Sequence, residues 1–92
     1  MKTQDAVIKL QEKGFSVQLL GNLWKFNRYM ATKKGHQYFI ELVTQTEPVE
    51  PDDELIIVDL KRKGEEDDPA NGYYQTGTIC DNLEQALRIG NF

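Results

Sequence analysis

The sequence contains very few of the residues that build disulfides and metal centres. Among its 92 residues, Cys80 is the single cysteine and His36 is the single histidine. One cysteine excludes an intramolecular disulfide and a zinc cluster built on cysteines, and it is typical of a reducing compartment. One histidine excludes metal sites with several histidine ligands. We therefore expect no metal, no cofactor and a cytoplasmic location.

Long apolar segments and catalytic motifs are missing as well. The longest apolar run covers residues 55–58, far short of the ~20 residues that span a bilayer. The first residues are charged and polar, unlike those of a signal peptide or a membrane anchor. The glycines are dispersed and form neither a phosphate-binding loop nor a nucleophile elbow. We expect no membrane association, and we predict no catalytic residues and no enzymatic activity.

Charge, by contrast, is abundant and very unevenly distributed. Residues 1–46 carry seven Lys and Arg against three Asp and Glu, whereas residues 47–92 carry four against twelve. The two halves therefore have balances of +4 and −8, within a net charge of −4. An uneven field of this kind orients approaching partners and speeds their encounter, although it does not identify them.

Hydrophobic spacing predicts a single α+β domain over residues 1–92, with a helix at each end. The first helix is predicted over residues 3–13, with Thr3 as its N-cap. Its buried stripe consists of three apolar residues at helical spacing, Ala6, Val7 and Leu10. The short C-terminal helix is indicated by a capping-box pattern, in which Glu84 follows Asp81 by three residues.

Between the helices, alternating apolar residues predict an antiparallel meander that forms the second layer of a two-layer domain. Gly21-Asn22 matches a two-residue hairpin turn, and Thr32–Gly35 matches the next tight turn. The predicted strands lie around residues 15–19, 23–31, 37–44 and 55–60, with residues 73–79 left open as a short fifth strand. The strand at 55–60 is apolar at nearly every position, which favours a central place. Residues 45–53 and 61–72 are predicted as polar loops.

The candidate partner site is a basic hairpin over residues 24–36. Its cationic residues are Lys25, Arg28, Lys33, Lys34 and His36, interleaved with Trp24, Phe26 and Tyr29. Cations beside aromatic rings suit a nucleic-acid surface, because the cations bind phosphates and the rings stack on bases. The same residues are typical of a hairpin whose rings pack into the core and whose lysines keep the tip solvated. The sequence pI of about 4.9 counts against nucleic acid.

Two acidic stretches and two single residues complete the candidates. Residues 47–54 and 65–68 are rich in carboxylates but lack the spacing of an EF-hand loop, so we interpret them as solvated loops. An alternative is that these carboxylates imitate a phosphate backbone and bind a basic groove of a partner. Cys80 precedes a helix start, and we interpret it as a small buried thiol rather than a reactive one. Tyr74 lies beside a polar loop and is a candidate binding anchor.

The order helix, strands, helix is similar to that of the double-stranded-RNA-binding domain. That module carries a basic cluster at the start of its last helix, whereas this chain has Asp81-Asn82-Leu83-Glu84 there. The likeness therefore assigns neither a family nor any residue roles.

These observations favour a small non-enzymatic protein-binding or regulatory module, either monomeric or homodimeric. Contact with the partner protein is expected through the basic hairpin or through a sheet edge. The alternative is a nucleic-acid-binding module that uses the basic and aromatic residues of the hairpin 24–36. A steep loss of affinity with salt would favour that alternative.

Overall fold

The fold is a sheet of five strands with a helix before it and a helix after it. The computed structural model describes residues 1–23, 26–44, 54–63 and 77–92, with the backbone alone at 21–23 and 26. The elements are α1 (Thr3–Glu12), β1 (Ser16–Leu23), β2 (Phe26–Thr32), β3 (Tyr38–Thr44), β4 (Leu55–Arg62), β5 (Thr78–Cys80) and α2 (Leu83–Ile89). Every neighbouring pair is antiparallel in the order β1-β2-β3-β4-β5. The predicted α+β meander is confirmed, and it has the fifth strand.

Helix α1 forms where the apolar stripe predicts it, but its N-cap lies one residue earlier. Lys2 occupies the cap in an extended conformation, and Thr3 is the first helical residue. Lys2 forms an antiparallel bridge with Glu54, which holds the start of the chain extended. Thr3 is consequently buried, and its hydroxyl has no hydrogen-bond partner. The prediction of Thr3 as N-cap was wrong because this long-range bridge places the helix start.

The first hairpin turns later than the Gly-Asn pair predicts. Gly21 pairs with Arg28 and Asn22 pairs with Asn27, so both residues lie inside β1. The pairing shifts between Leu19 and Gly21, which makes Leu20 the extra residue of a β-bulge. A glycine within a strand often marks such a bulge, and here the strand continues past it. The prediction of a turn at Gly21-Asn22 was therefore wrong.

The apolar core lies between the two helices and one face of the sheet, which we call the helix face. Antiparallel pairing puts Ala31 and Leu60 on either side of Ile40, and these three side chains share that face. The core residues from the helices are Ala6, Val7 and Leu10 of α1 and Leu83, Ala86 and Leu87 of α2. Burial of this apolar surface is the main stabilising contribution that the described residues provide.

Strand β4 has the central place that its apolar sequence predicts, since it pairs with both β3 and β5. It runs on to Arg62, so the segment 61–72 does not begin as a loop. Lys61 is 1% exposed inside this strand. The loop prediction was wrong at this point because pairing with Phe39 extends the strand through charged residues.

Helix α2 begins one residue later than the capping-box pattern predicts. Asn82 is the N-cap, and its side-chain oxygen accepts a hydrogen bond from the Gln85 amide at 2.8 Å. The Gln85 side chain in turn accepts from the backbone amide of Asp81. The side chains of Asn82 and Gln85 thus accept the two hydrogen bonds that were predicted for Asp81 and Glu84, one position earlier.

None of the helices in the described ranges is long and apolar enough to cross a membrane. The segments 45–53 and 64–76, which hold most of the predicted loop residues and the acidic stretches, lie outside the described residues.

Candidate functional site

The turn between β2 and β3 brings together three of the predicted site residues. Gly35 adopts a positive φ of 86°, and the His36 amide donates to the Lys33 carbonyl at 3.2 Å. Lys34 is exposed, whereas Lys33 and His36 are half-buried. The turn therefore presents one lysine fully to solvent and holds its other two basic side chains against the protein.

Aromatic rings support the basic side chains of this turn. The ammonium of Lys33 lies 5.7 Å from the ring centroid of Phe15, within the range of a cation–π contact. The ring of Phe15 packs edge-on against Phe92 at 4.8 Å between centroids. The imidazole of His36 lies 5.0 Å from Phe92. The C-terminal segment and the start of β1 thus form an apolar floor under the turn.

Further cations reach the same end of the sheet from neighbouring elements. The Lys63 amide donates to the Gln37 carbonyl at 2.8 Å, which fixes the end of β4 beside the start of β3. The Arg62 guanidinium lies 5.6 Å from the ring centroid of Tyr38. Lys13 is the C-cap of α1, and the next residue, Gly14, lies beside the side chain of Lys33.

We call this region the basic end, and it consists of Lys13, Lys33, Lys34, His36, Arg62 and Lys63. Its lysines and arginine carry five positive charges, and Glu12 adds one negative charge from the last turn of α1. Arg62 and Lys63 are members that the sequence pattern does not indicate, because their segment is predicted as a loop. The signal that could have found them is the antiparallel pairing of β3 and β4, which brings their positions beside residue 38.

Arg28 has a setting unlike that of the turn lysines. It points to the sheet face opposite the helices, which we call the far face, and its side chain is 11% exposed. Its guanidinium donates to Oε1 of Glu41 at 2.7 Å. The ammonium of Lys61 donates to the other oxygen of Glu41 at 2.9 Å. Glu41 is thus held between two cations inside the protein, as a buried charge requires.

Asp59 lies directly opposite Glu41 on the far face and is fully buried. Burial raises the pKa of Asp59, while Lys61 and the Gly77 amide lower it and Glu41 raises it again. The Gly77 amide donates to Oδ1 of Asp59 at 3.0 Å. The far face thus carries four charged residues, Arg28, Glu41, Asp59 and Lys61, that lie close together inside the protein.

The remaining predicted binding residues, Lys25 and Tyr74, lie outside the described residues. Their assignment to partner binding stays a prediction. Of the acidic stretch 47–54, the structure describes Glu54, whose carboxylate lies 4.0 Å from the Lys2 ammonium.

Cys80 is 6% exposed, which confirms the prediction of a buried thiol. Its pKa is raised by burial first, and then by the negative charges of Asp59 and Asp81. The thiolate is therefore disfavoured, which argues against a nucleophilic role. A cavity of about 130 Å³ lies beside it, and Ile56 and Leu83 form part of its lining. Its walls combine apolar side chains with the start of α2.

The described residues contain no group of three or more His, Cys, Asp or Glu that could hold a metal ion. Comparison with known proteins assigns no relative: no family model matches the chain, and neither the curated proteins nor the solved structures contain a significant match. The geometry of the chain itself is therefore the basis for any functional assignment.

Proposed function

We propose that this chain is a non-enzymatic protein-binding module that docks an acidic surface of a partner protein on its basic end. The observation that carries the proposal is the convergence of Lys33 and Lys34 from one turn with Arg62 and Lys63 from the end of β4. Four cations from two separate segments give a patch rather than a single charged loop. Such a patch is complementary to clustered carboxylates.

The surroundings of the patch support a binding role. The chain as a whole has a net charge of −4, so the cations of the basic end stand out against an acidic background. A molecule with this asymmetry is turned by the field of an acidic partner before contact. The rings beneath Lys33 and His36 restrict those side chains, which reduces the entropy lost on binding.

The accessibility of the rings supports a protein partner over nucleic acid. Phe15 is buried and Phe92 is half-buried beneath the turn. In the described ranges every aromatic side chain is either buried or half-buried, so none of these offers an open face for stacking on bases. The side chains of Trp24 and Phe26 lie outside that description. The following experiment therefore distinguishes a protein partner from nucleic acid.

The test begins with capture of partners from native lysate by the full chain, with and without nuclease. A retained protein is then used to compare the association rates of Lys34→Glu and Lys2→Glu. Lys2 is the control for the position of the charge, because its side chain is half exposed and it lies at the opposite end of the sheet. Since Lys2 also pairs with Glu54 at 4.0 Å, circular dichroism checks that Lys2→Glu stays folded. We expect Lys34→Glu to slow association by about 10-fold at low salt, with little change in dissociation.

The slowing should shrink as salt is added, since screening weakens the attraction between exposed charges. Equal association rates for the two variants would contradict docking on the basic end. Loss of every captured protein after nuclease treatment would replace the proposal with the nucleic-acid-binding alternative.

A further inference from the structure

The outer strand β1 is unusually free of charge. Its eight residues, Ser16–Leu23, include no Asp, Glu, Lys, Arg or Pro. Leu19 is 51% exposed and Leu20 is 40% exposed. Natural sheet edges are commonly protected by charged residues or proline, because an unguarded edge pairs with other strands. Within the described part of the chain, no strand lies beyond β1, so its outer backbone groups face outward.

Helix α1, which packs on β1, exposes both charged and uncharged residues. Its charged residues Asp5, Lys9 and Glu12 are grouped on one side by helical spacing, and Lys9 forms an ion pair with Glu84 of α2. Since α1 packs on β1 while α2 packs on β4 and β5, that side is turned away from the outer edge of β1. Beside that side, α1 carries three exposed, uncharged residues, Gln4, Ile8 and Gln11, and Ile8 lies one turn from both Asp5 and Glu12.

The other outer strand of the described sheet contrasts with β1. Strand β5 has three residues, Thr78–Cys80, and Asp81 follows it directly. A short strand next to a carboxylate is poorly suited to pairing. One apolar side chain, Ile79, is 56% exposed there, similar to Leu19. The two edges thus expose comparable apolar groups but differ in strand length and charge.

We propose that the edge of β1 is a homodimer interface, in which two copies pair their β1 strands antiparallel across a twofold axis. The chemistry of the strip selects a second copy. Because the strip carries no charge, it attracts neither an acidic nor a basic partner, and two copies meet there without like-charge repulsion.

Antiparallel pairing around the Leu19–Leu20 bulge would place the apolar side chains of the two copies together. The two sheets would join into one, and the outer amides and carbonyls of both β1 strands would bond to each other. This interface uses a surface different from the basic end. A double variant Lys33→Glu/Lys34→Glu should therefore leave dimer formation unchanged, so the two proposals can fail independently.

The experiment is sedimentation velocity of the full chain from micromolar to submillimolar concentration. We expect a concentration-dependent dimer for the wild type. Leu19→Lys should weaken it by about 100-fold or more, because two leucines lose their burial and two like charges meet near the axis. Ile79→Lys, the matched change on the other edge, should dimerise like the wild type.

A second variant, Leu20→Lys, tests the same interface if Leu19→Lys proves unfolded by circular dichroism. A monomeric wild type at every concentration would overturn the proposal. A dimer that Ile79→Lys disrupts while folded Leu19→Lys or Leu20→Lys leaves it intact would overturn it as well.

Discussion

The two faces of the sheet bury their side chains by different chemistry. On the helix face, Ile40 and Leu42 are fully buried among apolar residues from both helices. On the far face, Glu41, Asp59 and Lys61 are 2%, 0% and 1% exposed. Phe39 and Val43 are also buried on the far face, so alternation along β3 and β4 separates an apolar interior from one in which buried ions lie among apolar side chains. An antiparallel sheet with helices on one face commonly leaves its other face to water, and this sheet departs from that pattern.

The comparison indicates that the two faces respond differently to the same substitution. Apolar packing depends on volume and shape, so a side chain of similar size is tolerated. A buried ion depends on its counter-ion, because removing one partner leaves a charge without compensation. The far face should therefore be the more sensitive to changes that preserve size but remove charge.

The largest effect is expected from Lys61→Met compared with Leu42→Met. Both side chains are buried and methionine is close to each in length. Lys61→Met should lower the free energy of unfolding by about 3 kcal/mol, since Glu41 keeps Arg28 but loses one of its two cations and Asp59 loses the nearby charge of Lys61. Leu42→Met should lower it by less than about 1.5 kcal/mol. Urea denaturation measures both, and equal losses would contradict the distinction between the faces.

A double variant, Glu41→Gln with Lys61→Met, serves as the control for that experiment. If the loss in Lys61→Met arises from the broken ion pair with Glu41, the double variant should lose less than the sum of the two single variants. Strict additivity would show that Lys61 acts through packing of its aliphatic chain instead.

A smaller, pH-dependent effect is expected from Asp59→Asn, which keeps an acceptor for the Gly77 amide. Burial raises the pKa of Asp59 above 3.8, so the folded protein holds this proton more tightly than the unfolded chain. The resulting stability of the wild type, relative to Asp59→Asn, is fully present below pH 3.8 and is lost as pH rises through the folded pKa. The lost free energy of unfolding amounts to about 1.4 kcal/mol for each pH unit that separates the folded from the unfolded pKa of Asp59.

Unfolding free energies of the two proteins across acidic and neutral pH test this sign. A difference that grows with rising pH would mean that Lys61 and Gly77 outweigh burial at Asp59. The same series with Glu84→Gln is a useful comparison, because a hydrogen bond from Lys9 lowers the pKa of that exposed carboxylate.

The smallest effect is expected from Lys63→Met, two residues beyond Lys61 and directly after the end of β4. Lys63 is exposed, and its backbone amide rather than its ammonium holds the strand end to Gln37. The free energy of unfolding should change by no more than about 0.5 kcal/mol. A loss similar to that of Lys61→Met would show that position along β4, rather than burial of the charge, sets the sensitivity.

Much of the fold was predictable because it depends on local spacing. The stripe of Ala6, Val7 and Leu10 indicates α1, and alternation of Ile40 and Leu42 with Glu41 indicates β3. The errors occur where distant segments decide the outcome. The bridge between Lys2 and Glu54 sets the start of α1, and continued pairing of β1 with β2 overrides the turn signal at Gly21-Asn22.

The candidate site was predictable in part for the same reason. Lys33, Lys34 and His36 are close in sequence, so a tight turn is enough to group them. Arg62 and Lys63 join them through pairing of β3 with β4, which local patterns do not specify. Lys61 and Arg62 are adjacent in sequence, yet one is buried and the other exposed because they point to opposite faces.

The sequence by itself determined the kinds of element, their order and which residues of β2 and β3 share a face, because these depend on the spacing of apolar residues within short segments. The tertiary structure alone decided strand register, the bulge at Leu20 and the separation of buried from exposed cations. Register is set by the summed pairing of whole strands, and burial of a charge depends on counter-ions that come from other strands. Both are properties of contacts between segments far apart in the chain.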